Sequence, residues 1–156
     1  MKAKTRIKIK KRINLLGDRK EKDGIIQKKL LNLAEIKKAD RIHCYQSFKD
    51  EVSTSYIIER LKNKIILADK KLHLDDLNYI NYNINVIIVP GRAFDTEGNR
   101  LGRGFGHYDK ILRNVNAIKI GLAYESQITK FPTENHDQKV DIIVTENRII
   151  KCSKRF

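Results

Sequence analysis

Apolar and polar positions alternate along this chain in two periods, and the change from one period to the other marks out its elements. From Met1 to Leu33, basic residues are interleaved with Ile7, Ile9, Ile13, Leu15, Leu16, Ile25, Ile26, Leu30, Leu31 and Leu33. The later part, Asp23 to Leu33, has helical spacing with Asp23 as the expected N-cap, and the good helix formers Lys and Arg favour a helix in the earlier part too. Arg41 to Gln46 reads as a short strand, Ser47 to Asp50 as a turn, and Glu51 to Leu61 as a helix that Ser53 or Thr54 can cap. Lys64 to Ala68 is a further strand. Val86 to Val89 has no charge on either face, which marks a buried strand, and Pro90 ends it because it lacks an N–H. His107 to Leu112 has the look of the first turns of a helix. Ala117 to Tyr124 is another buried strand in which Gly121 lets a neighbour approach closely. Val140 to Thr145 is the final strand, with Asp141 at its start accepting backbone hydrogen bonds. Lys151 to Phe156 is a basic, solvated tail. Strands that alternate with helices predict a three-layer α/β/α fold with a mostly parallel central sheet, in a single domain spanning residues 1–156.

Composition adds charge to this picture. The formal net charge is +14 over 156 residues, a surface that attracts polyanions in general. The basic residues of the first segment carry no interleaved aromatic groups to stack bases, which argues against nucleic acid as the partner. Cys44 and Cys152 are the two cysteines, without metal or disulfide spacing, and Cys44 sits in an apolar run as a small core residue. No apolar run approaches the ~18 residues of a membrane span, and the basic N-terminus has no hydrophobic region after it, so neither a membrane segment nor a signal peptide is expected. A reducing cytoplasm and a monomer are the expectations. His73 stands alone in a polar stretch and receives no role.

The chemistry is concentrated between Val86 and Asp109, VIIVPGRAFDTEGNRLGRGFGHYD. Gly91, Gly98, Gly102, Gly104 and Gly106, of the eight glycines in the chain, alternate there with Arg92, Arg100 and Arg103. Glycines let successive backbone N–H groups surround an anion, arginines bind it through charge-assisted hydrogen bonds, and the helix after them adds its N-terminal dipole. The loop begins at the carboxyl end of a strand, where open α/β sheets place ligands. Asp109 supplies a carboxylate where a magnesium ion bridging phosphates needs one. The pattern is neither a Walker A loop nor a dinucleotide fingerprint. Elsewhere, Glu51 and Asp137 have plain readings: a first-turn carboxylate complementing a helix dipole, and a turn residue. Glu125, Ser126 and Gln127 follow a strand on the expected ligand side.

PGRAFDTEGNRLGRGFGHYD, followed by IGLAYESQ, ENHD and VDIIVTE, resembles the 5-formyltetrahydrofolate cyclo-ligases, the blocks standing in the family's order and approximate spacing. The resemblance implies nucleotide binding by Lys2 and Arg6 of the first helix, with Arg12 where a further family arginine lies. It implies the same of the run Arg100, Leu101, Gly102, Arg103, Gly104, Phe105, Gly106, His107 and Tyr108. YQSFKDEVST resembles the family block in which the residue before the serine and the glutamate contact the folate. That implies substrate contacts by Gln46 and Glu51, together with Arg103, His107 and Tyr108. Asp109 and Asp137 are the implied magnesium ligands, and Arg100, Arg103 and Tyr108 the implied catalytic residues. Phe105 and His107 depart from the family, which usually has a lysine or glycine and a tyrosine there, and Thr5 replaces a leucine. The stretch between Lys70 and Asn85 is shorter than in relatives, where it helps enclose the folate.

The implied activity is ATP- and magnesium-dependent conversion of 5-formyltetrahydrofolate to 5,10-methenyltetrahydrofolate, with ADP and phosphate released through an iminium phosphate. The positive surface would suit a polyglutamylated form of that substrate, whose tail carries several carboxylates. Two other readings stay open: a family member with weakened catalysis that binds nucleic acid or another polyanion, and an ATP-dependent ligase for a different formyl or amide compound.

Overall fold

The computed structural model describes residues 1–67, 83–104 and 106–152, and of His107 the backbone. Ala68, His73, most of the shortened stretch, Phe105, the His107 side chain and residues 153–156 lie outside the described residues. The chain starts with three helices, α1 (Lys2–Asn14), α2 (Arg19–Leu31) and α3 (Ala34–Lys38). Then come β1 (Ile42–Cys44), α4 (Ser55–Arg60), β2 (Ile65–Leu67), β3 (Val86–Val89), β4 (Ala93–Phe94), β5 (Arg100–Leu101) and α5 (His107–Asn114). The order closes with β6 (Ile118–Leu122), a 3-10 turn at Glu125–Gln127, β7 (Ile142–Val144) and β8 (Ile149–Lys151).

Among the described residues the main sheet runs β2-β1-β3-β6-β7-β8, parallel throughout except that β8 pairs antiparallel with β7. Side-chain alternation divides the core in two. Ile42, Cys44, Val86, Ile88, Ile120, Leu122, Ile142 and Val144 pack with Ile9 and Ile13 of α1, Ile26 and Leu30 of α2, Ile36 of α3 and Ile57 of α4. Ile87, Val89 and Ile143 turn the other way and pack with Leu112 of α5 and with Phe94. These are the three layers that the alternation of elements predicts. Each fully buried Ile or Leu contributes about 1.5–3 kcal/mol. Packing has to hold α1, because it has no side-chain cap and no acid in its first turn.

Three local expectations change. Asp23 does not cap a helix: α2 begins earlier, behind Asp18 at φ 54°, and Asp23 lies inside it. There its carboxylate accepts from the Tyr124 hydroxyl at 2.5 Å and from the Ser53 N–H at 3.3 Å, so tertiary partners claim it. Thr54 precedes α4, but its hydroxyl donates to the Tyr45 carbonyl at 2.8 Å. The open N–H groups of Tyr56 and Ile57 donate instead to the Gln27 side-chain oxygen, at 2.9 and 3.2 Å. Third, Val140 to Thr145 is not the last strand. Lys151 belongs to β8, and Cys152 is buried with its N–H donating to the Asp141 carbonyl at 2.9 Å. Val86 to Val89 is a strand with the predicted bounds, whereas those predicted at Arg41 to Gln46, Ala117 to Tyr124 and Val140 to Thr145 are shorter than read. Asp141 accepts from the Lys119 N–H at 2.8 Å, as its position predicts.

Gly121 makes a close approach possible. A Cβ there would meet the Phe94 ring at 2.6 Å, and one at Gly91 would meet it at 2.7 Å. Phe94 is fully buried and cannot retreat. Gly121→Ala is therefore expected to destabilise the fold by about 1–3 kcal/mol, the usual cost of overpacking, as read from urea denaturation midpoints.

His43, in the middle of β1, is fully buried, and burial pushes its pKa down to about 4. The unfolded chain takes up this proton near pH 6.5 and the folded one only near 4, so the stability it contributes is present above pH 6.5 and is lost as pH falls towards 4. Between those values the wild type is expected to lose about 1.4 kcal/mol more per pH unit than His43→Leu, in denaturation curves of the two proteins across that range.

Candidate functional site

The sheet order reverses between β1 and β3. The connection after β1 runs through α4 on one face, and the connection after β3 runs through α5 on the other. Such a switch point opens a crevice beyond the strand carboxyl ends. Here a cavity of about 700 Å³ lies at the ends of β1 and β3, lined by residues from the loops after both strands, from α1, from the start of α5 and from the 134–137 loop.

On one side of the cavity α1 brings cations to the glycine loop. Arg6 Nε donates to the Gly102 carbonyl at 2.8 Å, and a Cβ on Gly104, which sits at φ +107°, would lie 3.5 Å from the Arg6 guanidinium carbon. Lys2 Nζ donates to Asp137 Oδ2 at 2.9 Å and lies 3.4 Å from Glu134. Burial pulls the Lys2 ammonium down, but the hydrogen bonds and charge attraction of Asp137 and Glu134 together outweigh this and hold it above its ordinary value. Asp137 shows the converse: burial pulls it up, and Lys2 keeps it below the usual carboxylate range. Arg100 is buried at the end of the β4–β5 hairpin, where Nε donates to the Pro90 carbonyl at 2.6 Å and the guanidinium lies 5.0 Å from the centre of the Tyr108 ring. Burial lowers its pKa from the ordinary arginine value, opposed by nearby Asp109.

Asp109, in the first turn of α5, has a buried Oδ1 with no hydrogen-bond partner among the described residues. A buried carboxylate oxygen left open this way is costly unless something fills it. Among the described residues no cluster of three His, Cys, Asp or Glu side chains is placed to hold a metal by itself. The donor set instead fits a hard cation that takes one or two carboxylates and completes its shell with water and phosphate.

The opposite side carries a second ionic group. Tyr45, Gln46, Phe48 and Glu51 come from the end of β1 and its loop, and Arg92 and Arg103 lie against that loop. Asp50 lies 2.5 Å from Arg92 and also accepts from Arg103, whose guanidinium stacks 4.8 Å from the centre of the Phe48 ring. Glu51 Oε1 accepts from the Phe48 N–H at 2.8 Å. Burial raises the Glu51 pKa, opposed by that hydrogen bond and by Arg103.

Of the residues singled out from sequence, Lys2, Arg6, Gln46, Glu51, Arg100, Gly102, Arg103, Gly104, Gly106, Tyr108, Asp109 and Asp137 all line this one cavity. Leu101 does not. It is buried in the core, and its carbonyl accepts from the Arg92 N–H at 2.7 Å. Arg12 turns away, its guanidinium 3.3 Å from the Ser126 carbonyl. Glu125, Ser126 and Gln127 stand behind the site: the buried Gln127 amide donates to the carbonyls of Gly91 and Arg92 and so braces the loop after β3. Sequence reading missed Tyr45, Phe48, Glu134 and His136 as lining residues, although all four stand inside or beside the quoted blocks. Asp50 had no signal beyond its place next to Glu51.

Comparisons with known proteins identify relatives of the whole chain. The 5-formyltetrahydrofolate cyclo-ligase of Haemophilus influenzae is 29% identical over 174 residues, covering 88% of this chain and 92% of that protein. The enzyme of the same name from Mus musculus is 26% identical over 186 residues, covering 91% and 92%. A 5,10-methenyltetrahydrofolate synthetase from Mycoplasma pneumoniae has a solved structure that matches with TM-score 0.76 at 25% identity, covering 93% of this chain and 98% of that one. The Aquifex aeolicus synthetase shares the fold at TM-score 0.81 and 24% identity, covering 99% and 94%. With residues 62–146 matching the family directly, the chain belongs to the 5-formyltetrahydrofolate cyclo-ligase family.

Proposed function

We propose that this chain cyclises 5-formyltetrahydrofolate to 5,10-methenyltetrahydrofolate, using ATP and magnesium and releasing ADP and phosphate. The observation that carries the reading is the open, buried oxygen of Asp109 beside the glycine loop, in the same cavity as Glu51. One cavity thus offers both an anion-and-cation site and a carboxylate suited to a ring with adjacent N–H donors.

A formamide oxygen is a poor leaving group. In the proposed reaction the formyl oxygen takes the terminal phosphoryl group of ATP, N10 of the folate attacks the activated carbon, and the carbon–oxygen bond breaks to release phosphate. Such chemistry asks the protein for positioning and charge neutralisation rather than for a nucleophile. Gly102, Gly104 and Gly106 would cradle the phosphates, with Lys2 and Arg6 at their flank. Arg100, already fixed by Pro90 and Tyr108, would meet developing charge without rearranging. Gln46 and Glu51 would hold the pterin, with Arg103 and Tyr108 against the substrate. Magnesium would supply charge neutralisation on the phosphates, with Asp109 and Asp137 as its protein ligands. Asp137 now holds Lys2, and the two would exchange partners, Lys2 to phosphate and Asp137 to the cation.

Purified protein given 5-formyltetrahydrofolate, magnesium and ATP is expected to form the methenyl product, followed by its absorbance, and to form none without ATP. Asp109→Asn is expected to lower turnover roughly a hundredfold or more with no loss of melting temperature. Product formed without ATP, or undiminished in the variant, would overturn the assignment.

A further inference from the structure

We propose that Asp50 is a positioning residue for substrate: one carboxylate shared by Arg92 and Arg103, which keeps both guanidinium groups from closing on Glu51 and leaves Glu51 to the incoming ring. The inference rests on the reading of Glu51 given above.

The geometry is asymmetric. Two arginines and two carboxylates adjacent in sequence meet at the cavity wall, and the arginines are not shared evenly. Arg92 Nη1 lies 2.5 Å from Asp50 Oδ2, while Arg103 Nη2 donates to Asp50 Oδ1. Arg103 Nε is 3.6 Å from Glu51 Oε2, beyond hydrogen-bond distance. The side chains of Asp50 and Arg92 are 14% and 11% exposed, so neither charge is left to water. Burial pulls Asp50 up, but its bonds to Arg92 and Arg103 outweigh this and keep it ionised below the usual carboxylate range. With Asp50 neutral, the buried Arg92 guanidinium and the partly exposed Arg103 beside it would have Glu51 as their remaining carboxylate in this group, and the cost of leaving the Arg92 charge buried and unpaired is enough to draw it onto Glu51. Glu51 would then be an internal counter-ion rather than a substrate acceptor.

Several groups set the charge around Glu51: Asp50 on its own loop, Arg92 and Arg103 from the loops after β3 and β5, Arg100 from β5, and Tyr45 at the end of β1. Asp50 raises the Glu51 pKa, and Arg92 and Arg103 lower it. Removing Asp50 and removing Arg92 must therefore act in opposite directions.

The test compares wild type, Asp50→Asn and Arg92→Gln, by calorimetric titration with 5-formyltetrahydrofolate without ATP and by pH profiles of turnover. Asp50→Asn is expected to weaken folate binding roughly tenfold or more and to raise the folate KM while leaving the ATP KM alone. It should also move the acid limb of kcat/KM for folate to lower pH. Arg92→Gln should move that limb to higher pH, and it keeps the test open should Asp50→Asn not fold. An acid limb that stays put in the folded variants, or a fall in kcat with folate binding unchanged, would overturn the role of Asp50. A wild type that neither binds nor converts the folate would instead overturn the reading of the site itself.

Discussion

The ring of Phe94 rests in a slot that only glycine can form. Gly91 after β3 and Gly121 in β6 both lack the side chain that would strike it, which lets the ring of the two-residue strand β4 seat against the main sheet. Much of the site hangs on that contact. Phe94 pairs across the hairpin with Arg100, so seating the ring also fixes the backbone from which Arg100 reaches the Pro90 carbonyl. The neighbouring pair, Ala93 with Leu101, sets where the glycine loop leaves the hairpin. From the far side Gln127 grips the carbonyls of Gly91 and Arg92. Steric fit at one aromatic ring thereby becomes angular control of a loop that must face an anion.

The second theme is local neutrality. The net charge of +14 invites a picture of a cavity simply flooded with positive charge. The structure differs: each cavity arginine is committed to an internal acceptor, Arg6 to Gly102, Arg100 to Pro90, and Arg92 and Arg103 to Asp50. Such groups are oriented before a ligand arrives and pay little reorganisation on binding. The surplus lies on outward faces such as that of α1, where it governs encounter rather than recognition.

What the sequence made legible was whatever obeys a local rule. Val86 to Val89 had to be a buried strand because no residue in it can face water, and Asp141 had to serve backbone groups at a strand start. Ten residues from the quoted blocks, with Lys2 and Arg6 of the first helix, line one cavity. What stayed hidden depended on tertiary partners. Asp23 had the composition of a cap, yet Tyr124 and Ser53 claim its carboxylate. The hairpin strands β4 and β5, at two residues each, are too short for any period to register. Leu101 was counted into the ligand loop because a motif names consecutive residues, whereas strand alternation turns its side chain into the core.

The position of α1 has a consequence for how the molecule is built. Its Ile9 and Ile13 are fully buried in a core that also contains Tyr124, Ile142 and Val144, its Arg6 is anchored at Gly102, and its Lys2 at Asp137. As the ribosome delivers the chain, this first helix has nowhere to dock until nearly all of the later strands have emerged. Contacts of such long sequence separation form late and slowly. The cavity therefore closes only when residues far apart in sequence pair, Arg6 with Gly102 and Lys2 with Asp137, so the capacity to bind a ligand there reports on the assembly of most of the fold.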